Sequence, residues 1–131
     1  MKVCNRHERF VAATPERVTA LVGDFERIWP VQIAPVPRLQ GHRLYKAGMM
    51  LWEEVDRPGA ARVFRVISPE GFHVEHWFEV EPVGDGSLLR HTIEGEAVGE
   101  FEAIWREQAE PMHDLFLEAL LDNITVAVAC G

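Results

Sequence analysis

The order of segments along this chain constrains its fold more than any single motif does. A first stretch of mixed polarity runs into a helix start at Thr14-Pro15-Glu16-Arg17, and then into Asp24-Phe25-Glu26-Arg27-Ile28-Trp29-Pro30. Alternating segments separated by turn residues follow, and one amphipathic stretch from about Glu100 to Ala129 closes the chain. Strands joined in succession by tight turns form an antiparallel meander. A long amphipathic helix needs a surface against which to bury its apolar stripe. The order therefore predicts an α+β fold: a curved antiparallel β-sheet wrapped around a long C-terminal α-helix, with two short helices between strands 1 and 2, in a single domain over residues 1–131. Such a sheet encloses a cavity, so the chain reads as a holder of a hydrophobic ligand.

Local signals set the element boundaries. Val3 to Ala12 reads as the first strand. Thr14 suits an N-cap and Pro15 the first helical position. Val18, Leu21 and Val22 make the apolar face of that helix, and Gly23 its stop. Phe25 to Trp29 predicts a second short helix ended by Pro30. Between Pro30 and Gly48, the prolines at 30, 35 and 37 predict a loop and one edge strand, because proline cannot donate to a central ladder. The clearer strands are Met49 to Val55, Ala61 to Ser68, Phe72 to Val80 and Ser87 to Val98, each bounded by turn residues. In the closing segment Phe101, Ile104, Trp105, Ala109, Met112, Leu115, Phe116, Ala119, Leu120, Asn123 and Ala127 recur at helical spacing, and Pro111 predicts a kink.

Composition narrows the function classes. Hydrophobic residues are 47% of 131 positions, enough for a core without staples. The net charge of −8 repels phosphate backbones and anionic membranes, so neither nucleic acid nor membrane insertion is expected. No run approaches the roughly 20 apolar residues of a spanning helix, and the first residues lack the apolar stretch of a signal peptide; the expected location is cytoplasmic. Cys4 and Cys130 lack metal or redox spacing and read as reduced thiols, with a bridge between the chain ends as the alternative. No cofactor is called for, and no nucleophile set has recognisable spacing.

Side-chain alternation assigns the faces. If Asp85-Gly86 forms a two-residue hairpin turn, Val80 lies opposite His91, Phe78 opposite Ile93, His76 opposite Gly95 and Val74 opposite Ala97, all on the more apolar side. Extending the pattern puts Val66, Phe64 and Arg62, then Met50, Trp52 and Glu54, on that same inner side, with Glu54 directly across from Arg62. The candidate ligand-binding residues are therefore Trp52, Phe64, Val66, Val74, Phe78 and Ile93 from the sheet, with Trp29, Trp105, Met112 and Phe116 from the helices. The inner face carries four polar groups: Glu54, Arg62, His76 and His91. Apolar walls with few convergent polar groups are the pattern of small-molecule pockets.

Each polar group has two readings. Arg62 offers a fork of donors to ligand oxygens, with Glu54 tuning it or acting as base, or the two form an ion pair at the sheet rim. His76 and His91 move protons near neutral pH, or are hydrogen-bonded core histidines. On this register they are offset by about four residues, ~13 Å at strand rise, too far for a shared metal. His113 and Asp114 read as solvated.

The run Ala13-Thr14-Pro15-Glu16-Arg17-Val18 followed by Asp24 to Pro30 resembles the opening of the START-like, polyketide cyclase/dehydrase superfamily (SRPBCC, the helix-grip fold). Gly48 before a strand, the hairpin Glu81-Pro82-Val83-Gly84-Asp85-Gly86-Ser87-Leu88-Leu89, and Asp122-Asn123-Ile124 in the last helix extend the likeness along nearly the whole chain. The resemblance implies a seven-stranded curved sheet gripping the C-terminal helix around a cavity for lipids, hormones, quinones or polyketides. In its aromatase/cyclase members an arginine and aromatic or hydroxyl groups inside the cavity do the chemistry; Arg62 and Trp29 fall in matching regions, although no cyclase motif aligns residue by residue. Three functions stay open: binding of a small hydrophobic or aromatic metabolite, an aromatase/cyclase-dehydratase-like enzyme, and an interaction module whose cavity is filled by side chains. The long helix also offers a surface for a homodimer.

Overall fold

Seven antiparallel strands make one curved sheet in a computed structural model that describes residues 1–37 and 41–130. The elements run β1 (Lys2–Val11), α1 (Pro15–Val22), α2 (Phe25–Ile28), β2 (Ile33–Val36), β3 (Arg43–Ala47), β4 (Met50–Val55), β5 (Arg62–Ser68), β6 (Phe72–Val83), β7 (Gly86–Ala97), α3 (Phe101–Ile104), a π-helical turn (Trp105–Ala109) and α4 (Glu110–Ala129). Strand order is β1-β7-β6-β5-β4-β3-β2. β2 to β7 are thus a meander, and β1 crosses over to pair with β7. Among the described residues β1 and β2 are the edges, and Pro35 sits on β2, where a missing N–H costs no ladder bond to a second neighbour.

The caps act as the residue types predict. Thr14 accepts a hydrogen bond from the Arg17 N–H at 3.3 Å, and Asp24 does the same for Arg27 at 3.3 Å. Gly23 ends α1 with an ordinary φ of −82°, so it is not there for a left-handed turn. A Cβ on it would stand 2.7 Å from Arg62 Nη1, so its role is to let that guanidinium approach. Gly95 in β7 serves the sheet itself, since a Cβ there would run into the His73 carbonyl oxygen. This close passage of two backbones is a usual reason for glycine inside a strand.

Three sequence expectations need correction. The proline-rich region holds two strands, β2 and β3, since proline-free β3 can fill the inner position between β4 and β2 while Pro35 stays on the edge. The β6–β7 hairpin turns at Gly84-Asp85, with Val83 opposite Gly86 and a positive φ at Gly84. Every cross-strand pair is therefore shifted by two residues from the expected register: Phe78 faces His91, and His76 faces Ile93. An even shift leaves each side chain on its expected face, so the inner face survives while its partners change. The same holds one strand pair over, where Glu54 lies opposite Phe64 and not Arg62.

The third correction concerns the closing helix. Pro111 cannot donate to the carbonyl one turn back, and the segment ahead of it takes up a five-residue π turn. A π turn inserts extra residues per turn and rotates everything beyond it. The buried stripe of α4 is accordingly Leu117, Leu120, Leu121, Ile124 and Ala127, while Met112 and Leu115 are 64% and 68% exposed. Asn123 donates from Nδ2 to the Ile28 carbonyl at 2.8 Å and so ties α4 to the end of α2.

Candidate functional site

A cavity of about 290 Å³ lies between the sheet and the α3-to-α4 segment. It is built from sequence patterns that by themselves specify only core. Alternation aims Trp52, Val66, His76, Phe78, His91 and Ile93 inward from four neighbouring strands. α2 ends at Trp29, whose indole N–H donates to the Val22 carbonyl at 2.8 Å. That bond fixes the ring edge-on to Phe78 and Phe116, at centroid distances of 5.7 and 6.0 Å. The π turn brings Trp105 and Ala109 to the wall, and α4 adds Met112, His113, Phe116 and Leu117.

Of the ten expected ligand-binding residues, eight line this cavity: Trp29, Trp52, Val66, Phe78, Ile93, Trp105, Met112 and Phe116. Phe64 and Val74 are buried but sit behind the wall. The four expected polar groups separate into two places. His76 and His91 line the cavity; Glu54 and Arg62 do not.

Arg62 and Glu54 form a closed cluster of their own. Arg62 Nε donates to Glu54 Oε2 at 2.7 Å and Nη2 to Oε1 at 2.8 Å, and the Tyr45 hydroxyl donates to Oε1 at 3.1 Å. The guanidinium lies over the Phe25 ring at 4.9 Å. Burial pushes the Glu54 carboxyl up, but the hydrogen bond and charge of Arg62 outweigh it and hold the carboxyl below its usual range. Phe64 neighbours both the Arg62 guanidinium, at 5.9 Å, and the His76 ring, at 5.2 Å. It stands between this ion pair and the cavity. The forked donors of Arg62 are thus spent on Glu54, away from the cavity wall.

The two histidines are neighbours, and this overturns the ~13 Å separation expected from the sequence. His76 Nδ1 and His91 Nε2 are 3.3 Å apart, because the true register sets the residues two positions out of step, not four. Burial lowers the pKa of His76 to about 3, with His113 adding to the effect, and lowers that of His91 well below the ordinary value. Both rings are therefore neutral at pH 7. A neutral imidazole has one N–H and one bare nitrogen. If one ring donates to the other, the two outer nitrogens must be one donor and one acceptor, whichever way the proton sits. Those outer nitrogens, His76 Nε2 and His91 Nδ1, are buried without a partner, as is the Trp52 indole N–H. Buried polar groups are rarely left unpaired; these three nitrogens are enclosed by the surrounding side chains and present almost no surface to the cavity.

His113, expected in solvent, is instead part of the wall. Its ring lies 5.3 Å from His91 and 5.9 Å from His7, and burial together with His7 lowers its pKa to about 4. The sequence carries a signal for this: counting back along the buried stripe from Ala127 through Ile124, Leu120 and Leu117 arrives at position 113. Phe72, Phe101 and Met50 also line the cavity, beyond the residues expected there. Cys4 and Cys130 are free and exposed. Among the described residues, no helix is long and apolar enough to cross a membrane.

No protein-family model matches the sequence, and comparison with curated proteins gave no match. Solved structures do match. The chain is similar to TTHA0849 from Thermus thermophilus, with a TM-score of 0.70, 21% identity and 98% of each chain covered. It is similar to the Zhui aromatase/cyclase from Streptomyces sp. R1128, with a TM-score of 0.74, 13% identity, and 98% of this chain and 94% of that one covered. It also matches the di-domain ARO/CYC StfQ from the steffimycin biosynthetic pathway, with a TM-score of 0.73, 14% identity, and 96% of this chain against 50% of that one. These likenesses show the fold: a helix-grip architecture, with its curved sheet closed over a C-terminal helix.

Proposed function

We propose that the chain binds a small, uncharged hydrophobic or aromatic metabolite, lipid-, quinone- or polyketide-like, in the cavity between the sheet and α4. The observation that carries this reading is the cavity's lining: aromatic and aliphatic walls, with no acidic or basic side chain other than neutral histidines among the described residues. A neutral ligand suits such a lining, whereas a carboxylate would find no cationic side chain in it. Size sets a limit as well. A cavity of ~150 Å³ holds benzene, so about 290 Å³ suits roughly two fused rings or a short chain. A hollow of this size counts against a module filled by its own side chains. Native mass spectrometry of freshly purified protein, followed by solvent extraction, tests the proposal. A bound neutral compound that is lost on replacing Val66 with tryptophan supports it. Protein that binds no apolar compound with or without the plug refutes it.

A second reading, an aromatase/cyclase-like enzyme, is favoured by one observation. The paired neutral imidazoles supply between them one donor and one acceptor nitrogen, the two kinds of group that enolisation and dehydration require. The likeness to the Zhui aromatase/cyclase points the same way. In this version His76 and His91 move the protons, and Arg62, bound to Glu54, supports the sheet and does not steady an enolate. Incubation with a poly-β-ketone thioester decides it. Turnover that falls in His91→Phe and persists in Arg62→Lys fits this assignment; the reverse pattern overturns it.

A further inference from the structure

We propose that His7, His113 and Asp114 form a binding site for a divalent first-row transition-metal ion at the edge of the cavity. The site does not depend on what the cavity holds. His7 comes from the inner face of β1, directly across from His91. His113 and Asp114 lie near the start of α4, its fourth and fifth residues. One ligating atom from each of the three lies within 4.8 Å of the other two. Bonds of about 2.0–2.1 Å from nitrogen or oxygen to an ion put neighbouring ligand atoms about 3–3.5 Å apart. Small side-chain rotations therefore close the cluster around an ion.

Three further features separate this cluster from a chance gathering of polar groups. First, both His113 ring nitrogens are buried with no hydrogen-bond partner, so at least one lone pair is free for a ligand. Second, His7 is already held as metal-binding histidines are held. Its Nδ1 lies 2.7 Å from Glu118 Oε2, which leaves Nε2 facing Asp114 Oδ1 at 2.9 Å. Third, the carboxylates are themselves fixed. Asn5 Nδ2 donates to Asp114 Oδ1 at 2.9 Å, and Arg9 Nη2 donates to Glu118 Oε1 at 3.1 Å. An arriving ion takes the place of the proton that His7 Nε2 shares with Asp114, and that proton leaves to solvent.

The donor set selects the ion. Two imidazoles and one carboxylate, with no thiolate, suit Zn²⁺, Fe²⁺, Co²⁺ or Ni²⁺ better than Mg²⁺, Ca²⁺ or Cu⁺. Three protein ligands leave such an ion unsaturated. His113 belongs both to the cluster and to the cavity wall, so the ion would sit beside the bound molecule with a position to offer it.

The test uses the full chain without an affinity tag, with Cys4→Ser and Cys130→Ser removing the exposed thiols. Protein stripped with chelator is titrated with Zn²⁺ by calorimetry and with Co²⁺ by visible absorption. One equivalent should bind with micromolar affinity or better and give ligand-field bands for Co²⁺. His113→Ala and His7→Ala should each weaken binding about 100-fold or more, and Glu118→Gln, at the carboxylate that bonds His7 and Arg9, about 10- to 100-fold. Asp114→Asn keeps the side-chain volume; it should retain the parent's circular dichroism and still lose about tenfold or more in affinity. His42→Ala, remote from the cluster, should change nothing. Affinity no better than millimolar in the parent, or one-equivalent binding that survives both histidine substitutions, overturns the proposal.

Discussion

His76 makes stability depend steeply on pH, and the size of the effect follows from its burial. The side chain is 5% exposed and packed against Trp52, Phe64 and His91, with centroid distances of 4.4, 5.2 and 5.4 Å. Its pKa is lowered to about 3 in the folded protein, against about 6.5 in an unfolded chain. Between these values the unfolded state holds one more proton than the folded state. Stability is therefore fully present above pH 6.5 and is lost as pH falls toward 3. The slope approaches about 1.4 kcal/mol per pH unit, which gives a loss of about 2 kcal/mol between pH 7.5 and pH 5 from this residue alone. Total stabilities of domains this size are only about 5–15 kcal/mol, and His91 adds a contribution of the same sign. The assay is urea unfolding followed by tryptophan fluorescence at several pH values, with chelator present. His76→Phe keeps a flat ring between Phe64 and Trp52 but cannot titrate. It starts from its own stability at pH 7.5, since His91 loses a partner, but the difference between the two proteins should change by about 2 kcal/mol in the variant's favour on going to pH 5. If that difference is the same at every pH, His76 is not a buried neutral histidine and the site's chemistry as described is wrong.

Other parts of the structure give sharper local tests. Arg62→Leu leaves Glu54 buried with the Tyr45 hydroxyl as its hydrogen-bond donor and Arg43 Nη1 at 3.9 Å; about 2 kcal/mol of stability should be lost in urea unfolding, less than for a fully buried pair because Arg62 is 22% exposed. The Glu54 contribution in the parent should be present above the carboxylate's unfolded pKa and vanish as pH falls through its lowered folded pKa, a loss absent from Glu54→Gln. Asn123→Ala removes the tie from α4 to the Ile28 carbonyl and should cost about 1 kcal/mol, measured the same way. Gly95→Ala drives a methyl group into the His73 carbonyl oxygen, so soluble expression should fall sharply or stability drop by about 3 kcal/mol or more.

The fold is largely readable from the chain because its signals are local and mutually consistent. Thr14-Pro15 and Asp24 announce helix starts through their own side chains, and alternation from Trp52 to Ile93 assigns the inner face without knowledge of the pairing. What is not readable depends on offsets. The turn Val83-Gly84-Asp85-Gly86 contains two equally good glycine positions, and choosing between them moves His91 from four residues out of step with His76 to two. Pro111 announces a disruption but not that it takes the form of a π turn, and that turn decides which side of α4 is buried. The place of His113 in the wall follows once the buried stripe of α4 is known, since counting back from Ala127 through Leu117 arrives at it. Arg62 and Glu54 lie on the expected face, yet the aromatic ring of Phe64 between two polar sites cannot be inferred from strand alternation.

The proposed function requires a cavity that accepts a neutral ring compound. Titration of protein kept metal-free by chelator with 2-naphthol, a hydroxyl-bearing pair of fused rings, followed by tryptophan fluorescence tests this most directly. Saturable one-to-one binding is expected, weakened about tenfold or more in Val66→Trp, with naphthalene-2-carboxylate binding far more weakly than the naphthol. Absence of saturation up to the solubility limit, or equal binding by the Val66→Trp protein, would contradict it.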